Sequence, residues 1–213
     1  MRLTAKEKIA YGLGAVGKDM VYMLSASYVL YYFQDILGVS AIAMGLILMA
    51  ARLFDAFNDP IMGIIVAKTK TKWGKFRPWL LIGTITNAVI LILMFSAPPS
   101  LDGKGLVAYA AATYILWGVT YTMMDIPYWS MIPAFTDSGK ERENLTTLAR
   151  SCAGARSALV TIFTVALVSK IGKLIAGSNA SAKAVEIAGF KWFALIIAIL
   201  FIVFIIITCV NNS

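Results

Sequence analysis

Trp192-Phe193-Ala194-Leu195-Ile196-Ile197-Ala198-Ile199-Leu200-Phe201-Ile202-Val203-Phe204-Ile205-Ile206-Ile207-Thr208-Cys209-Val210 runs for 19 residues without a charged side chain. A helix of that length crosses the roughly 30 Å hydrocarbon core of a bilayer, and a soluble surface has no use for one apolar on every side. Working back toward the N-terminus, similar windows recur. The spans predicted are roughly 10–37, 39–67, 78–97, 105–135, 145–170 and 190–210. Turn signals separate them: Gly38 with Ser40, Pro98-Pro99-Ser100, Asp137-Ser138-Gly139 and Gly177-Ser178-Asn179. The expected fold is all-α, an integral membrane bundle of six helices in one domain over residues 1–213.

Composition agrees. Of the 213 residues, 60% are hydrophobic and 14% charged, where a soluble domain carries about a quarter charged residues. The formal charge of +8 is read as lysine and arginine collecting in cytoplasmic loops, not as a nucleic-acid surface. Lys68, Lys70, Lys72, Lys75 and Arg77 lie between spans two and three without an acidic residue, whereas no basic residue separates spans one and two. The first of these loops is placed in the cytoplasm, and with it the N-terminus bearing Arg2, Lys6 and Lys8. An even number of spans returns Asn211-Asn212-Ser213 to the same side, so a multi-pass protein of the plasma (inner) membrane with both termini cytoplasmic is expected. Lys170, Lys173, Lys183 and Lys191 flank the loop between spans five and six and run against that assignment. Lys18 and Asp19 interrupt the first apolar run and no cleavage site follows, so no signal peptide is expected. Thr4-Ala5-Lys6-Glu7 has the form of a capping box that starts the first helix.

The chain has no histidine, and its cysteines, Cys152 and Cys209, form neither a disulfide framework nor a zinc motif. No nucleophile–base pair or phosphate loop is visible. The pattern argues against an enzyme, and no cofactor is expected beyond a coupling ion.

The charges within the spans carry the functional reading, because each costs about 2.5–3.5 kcal/mol at a helix centre. They are Lys18, Asp19, Arg52, Asp55, Asp59, Asp125, Arg150 and Arg156. Mutual neutralisation as interhelical ion pairs is the bland alternative. Against it, Arg52, Asp55 and Asp59 share an arc of about 60° on span two, widened to about 120° by Asn58. Trp117, Tyr121, Thr122, Asp125, Tyr128 and Trp129 share one side of span four. Counted from the cytoplasmic ends, the aspartates all fall about 12–18 Å deep, near the bilayer midplane. Two carboxylates four residues apart with an amide between suit a hard monovalent cation, Na+ or Li+, or a shared proton. Aspartate, tyrosine, tryptophan and arginine together suit a polyol, because carboxylates accept hydroxyl hydrogens and an indole face covers sugar C–H groups. Trp117 and Tyr128 are assigned to packing and Trp129 to ligand contact. Pro127 and Pro133 are expected to loosen span four.

Asp55-Ala56-Phe57-Asn58-Asp59-Pro60-Ile61-Met62-Gly63, followed by Trp73-Gly74-Lys75-Phe76-Arg77-Pro78-Trp79, resembles the signature of the glycoside–pentoside–hexuronide:cation symporters of the major facilitator superfamily. Tyr11-Gly12-Leu13-Gly14, Gly17-Lys18-Asp19 and Tyr121-Thr122-Met123-Met124-Asp125-Ile126-Pro127-Tyr128-Trp129-Ser130 extend the resemblance over about residues 5–170. It implies the N-terminal half of a major-facilitator fold. It implies cation binding at Asp55, Asn58, Asp59 and Thr122, with Na+ as the candidate ion. Lys18, Asp19, Tyr121, Asp125, Trp129 and Arg150 would contact a sugar or glycoside, and Arg142 resembles a cytoplasmic gate residue. Ala67 stands where the family has Asp or Asn, and Arg156 where it has a small residue. Family members have twelve spans, so the missing C-terminal half or a second copy is the expected partner within the lipid bilayer. A half-length protein that assembles without transporting, or a lysolipid:cation symporter of the same fold, are the competing readings.

Overall fold

The computed structural model describes residues 4–135, 139–177 and 179–211, and among them every regular element is helical. α1 (Ala5–Leu30) continues into a π-helical turn, Tyr31–Ile36. It is followed by α2 (Ala41–Lys68), α3 (Arg77–Met94), α4 (Gly103–Phe135), α5 (Gly139–Ala176) and α6 (Ala182–Asn211). Four of them, α2, α3, α4 and α6, are long and apolar enough to cross a membrane. α1 and α5 are long enough, but their charges dilute the apolar signal.

Caps, more than apolar boundaries, set the ends. The Thr4 backbone N–H and hydroxyl both donate to Glu7 Oε2 at 2.7 Å, and Glu7 N–H donates back to Thr4 Oγ1 at 3.3 Å. These hydrogen bonds hold the Glu7 carboxyl below its ordinary pKa. Gly38, at φ 84°, turns the chain out of the π-helical segment, and Ser40 then accepts from Ala43 N–H at 3.2 Å to open α2. Ser181 does the same for α6, accepting from Ala184 N–H at 3.3 Å. α6 therefore starts eight residues before the predicted apolar span, because a helix needs a cap and its first turns can lie at the polar boundary. α5 likewise starts at Gly139, ahead of its predicted span.

α1 packs against α5 and α6, α3 against α4 and α6, and α2 against α4. Small residues bring the axes close, as lipid supplies no hydrophobic drive between helices. A Cβ at Gly83 would meet the Met124 amide of α4, and one at Gly14 would meet the Thr208 hydroxyl of α6. At the α5–α6 crossing, added Cβ atoms at Gly172 and Gly189 would run into the carbonyls of Val185 and Val168. The best-buried aromatic cluster joins three elements: Phe95 stacks on Phe190 at 5.6 Å between ring centres, and Tyr32 meets Phe95 at 5.1 Å.

α2 presents most of its apolar surface outward. Ile42, Leu46, Leu53, Phe57 and Ile61 are each more than half exposed and recur at helical spacing. In water such a row would drive aggregation; against acyl chains it is at home.

α4 is one continuous helix that contains Pro127 and Pro133. Neighbouring helices tie down the polar groups near the prolines. Tyr11 Oη donates to the Tyr128 carbonyl at 3.1 Å, Tyr128 Oη donates back to the Tyr11 carbonyl at 2.5 Å, and the rings stack at 4.5 Å. This brace joins α1 to α4 in the stretch between the two prolines.

Candidate functional site

Two polar clusters meet on one turn of α4. The first is centred on Lys18, which α1 buries to 4% exposure. Its ammonium lies 2.5 Å from Asp125 Oδ1, 3.3 Å from the Tyr121 hydroxyl and 3.8 Å from Asp19 Oδ1. The rings of Trp129, Tyr121 and Tyr128 stand 5.0, 5.5 and 5.6 Å from it, within cation–π range. Trp129 Nε1 donates to the same Asp125 oxygen at 3.1 Å. Asp125 keeps 30% side-chain exposure and Asp19 21%, so both acids reach open space while their cation does not. An aromatic ladder extends from this cluster: Tyr121 stacks on Trp117 at 5.2 Å, and Tyr22 of α1 tilts against Tyr121 at 5.6 Å.

The second cluster joins α2 to α4. Thr122 Oγ1 donates to Asp59 Oδ1 at 2.9 Å. Asp55 lies on the same side of α2, 3.9 Å from the Arg52 guanidinium and against the bare backbone of Gly118, where a Cβ would come within 3.1 Å of its Oδ1. Asn58 Nδ2 is buried without a hydrogen-bond partner; it is a donor, so only the amide oxygen of Asn58 could face a cation. Two carboxylates, one hydroxyl and one amide form an oxygen-rich donor set that fits a hard monovalent cation better than a transition metal. Among the described residues no group of three His, Cys, Asp or Glu side chains could hold a metal ion.

The structure thus brings Lys18, Asp19, Tyr121, Asp125 and Trp129 together, and Asp55, Asp59 and Thr122 beside them. Ion pairing does account for some of the intramembrane charge: Lys18 with Asp125 and Asp19, and Arg52 with Asp55. Arg150 is exposed on α5 and joins neither cluster. Arg142 donates to the Pro133 carbonyl at 3.2 Å, which ties the end of α4 to the start of α5. Ala67 is exposed near the end of α2. The Arg156 and Cys152 side chains lie outside the described residues.

Three contributors escape a reading of the sequence. Asn87 of α3 is fully buried and donates to the Trp117 carbonyl and to Thr120 Oγ1, each at 3.0 Å, which fixes the stretch of α4 that carries the site. Tyr22 sits one turn beyond Lys18, and that spacing was its only signal. Gly118 gives no signal at all until α2 is laid against it.

Residues 10–213 match the family described as MFS/sugar transport protein. The chain belongs to that family. It is a multi-pass membrane protein, and its relatives are transporters, not enzymes. It is 35% identical to the inner membrane symporter YicJ of Escherichia coli (strain K12) over 80% of this chain and 37% of that protein. It is 31% identical to the isoprimeverose transporter of Lactiplantibacillus pentosus, over 97% of this chain and 41% of the transporter. The glucuronide carrier protein homolog of Escherichia coli is 33% identical over 84% of this chain and 37% of its own length. The chain therefore spans about two fifths of these relatives.

Proposed function

We propose that the chain forms one wall of a symporter that carries a sugar or glycoside together with Na+, Li+ or H+. Six helices cross the membrane in this reading, with both termini in the cytoplasm. The observation that carries it is the adjacency of Tyr121 and Thr122. One hydroxyl touches the Lys18 ammonium at 3.3 Å and the next reaches Asp59 at 2.9 Å. A sugar held by Lys18, Asp19, Tyr121, Asp125 and Trp129 and a cation held by Asp55, Asn58, Asp59 and Thr122 would then pull on a single turn of α4. Each ligand orders the turn that the other needs, an arrangement that yields couplings of about 1–3 kcal/mol.

Exposure of the polar groups supports a further component. Arg52 and Arg150 lie exposed on α2 and α5, and lipid penalises such groups. A second six-helix half or a second copy of this chain would cover them.

The test is glycoside uptake by membrane vesicles carrying the chain, with and without an inward Na+ gradient. Stimulated uptake should vanish in Asp59→Cys while glycoside binding persists in part. Stimulation unchanged by that substitution would overturn the cation assignment. A chain that neither binds nor moves any glycoside would favour the non-transporting reading.

A further inference from the structure

On the other face of α1 lies a cavity of about 750 Å³ that the transport reading does not use. Ser27 is about 180° around the helix from Lys18, and Tyr28 about 15 Å further along it. The cavity is closed by α5 and α6 where α5 ends at Ala176 and α6 begins at Ala182, so it sits at the end of the bundle, at headgroup depth. Its floor is apolar, built from Tyr28, Val168 and Phe190. Its rim is polar and carries both signs of charge, Lys173 from α5 and Glu186 from α6. Tyr31, the first residue of the π-helical turn, donates to Glu186 Oε1 at 2.7 Å. That bond orients the carboxylate and leaves Oε2 for a second donor. Lys173 has no carboxylate partner among the described residues. It also belongs to the lysines that run against the charge rule for this side of the membrane, so a reason for its presence is needed.

We infer that this cavity binds a phospholipid with a primary-amine headgroup. The ammonium is taken by Glu186, the phosphate by Lys173, and the upper acyl carbons rest on the apolar floor. Charge complementarity selects this occupant: an anionic headgroup would meet the Glu186 carboxylate, and a quaternary amine has no hydrogen to donate to it. The inference needs only that the chain lies in a bilayer, and it stands or falls apart from the sugar and cation assignments.

Native mass spectrometry of the purified full chain, titrated with dioleoyl phosphatidylethanolamine, phosphatidylcholine and phosphatidylglycerol, tests it without sugar or coupling ion. Phosphatidylethanolamine should bind at least about fivefold tighter than the other two, the discrimination expected of one charge-assisted contact. Glu186→Gln should erase the preference over phosphatidylcholine, and Lys173→Gln should weaken all three lipids. Lys104→Gln, at a separate site in the fold, should change nothing. If Glu186→Gln does not fold, Ser169→Leu, which fills the cavity, should abolish the tight adduct instead. Equal binding of the three lipids, tighter binding of phosphatidylglycerol, or a preference untouched by these variants would overturn the inference.

Discussion

At the scale of single residues, Lys18 is the best-determined side chain of the site. Two acids and three aromatic rings surround it, and only 4% of it is exposed. Lys18→Met keeps the bulk and removes the charge, leaving Asp125 beside a buried apolar group. The variant should lose about 3 kcal/mol of stability, the low end for a broken buried pair because Asp125 keeps some exposure. Thermal unfolding in detergent measures this, and adding Asp125→Asn should recover most of the loss. Gly118→Ala tests the other cluster. Its methyl would crowd the Asp55 carboxylate, so Na+ affinity should fall about tenfold or more, at roughly 1.4 kcal/mol per decade, with glycoside affinity measured without Na+ nearly unchanged. The charged residues were legible in the sequence because charge is rare in apolar spans and helical periodicity shows which charges share a face. Asn87, Tyr22 and Gly118 were not, because their roles depend on how one helix is rotated and shifted against another. Arg150 shows the same limit from the other side: its residue type fitted the site, but the structure leaves it exposed on α5.

Among the elements, the crossings of α5 with α6 and of α1 with α6 are set by glycines with no room for a methyl group. Gly172→Ala should separate α5 from α6 and cost about 1–3 kcal/mol, as overpacking does. Gly12→Ala, where the same methyl would meet nothing within 4 Å, is the control in the same unfolding assay. The start of α1 makes a prediction about pH. Glu7 has its pKa lowered by the Thr4 hydrogen bonds, so its contribution is present above the ordinary value of 4.5 and is lost as pH falls through the lower, folded value. Amide exchange at the first turn, corrected for intrinsic rates, should lose protection over that acidic window in the parent and show no such step in Glu7→Ala. The capping box was readable from Thr4 and Glu7 alone. The Tyr11–Tyr128 brace was not, since it joins two helices through residues more than 100 apart in sequence.

For the molecule as a whole, membrane residence rests on four apolar helices and the outward row of α2. Orientation can be read with an impermeant thiol reagent: Thr71→Cys should be shielded in intact cells and labelled only after permeabilisation, whereas Ser40→Cys should be labelled in intact cells already. Leu53→Lys, near the centre of α2, should cost about 3–4 kcal/mol of insertion in a glycosylation-based assay. The Lys18 cluster has one more consequence at this scale. A carrier of the proposed type must reset with nothing aboard, and a carboxylate stripped of its guest in a dry interior would hold it back. Here Asp125 never stands alone, since a lysine anchored in the protein stays beside it after the cargo departs. In that proposed cycle the tethered counter-charge would ease the unloaded return on the sugar side, and with Arg52 beside Asp55 it is Asp59 whose vacancy the cycle would still have to overcome.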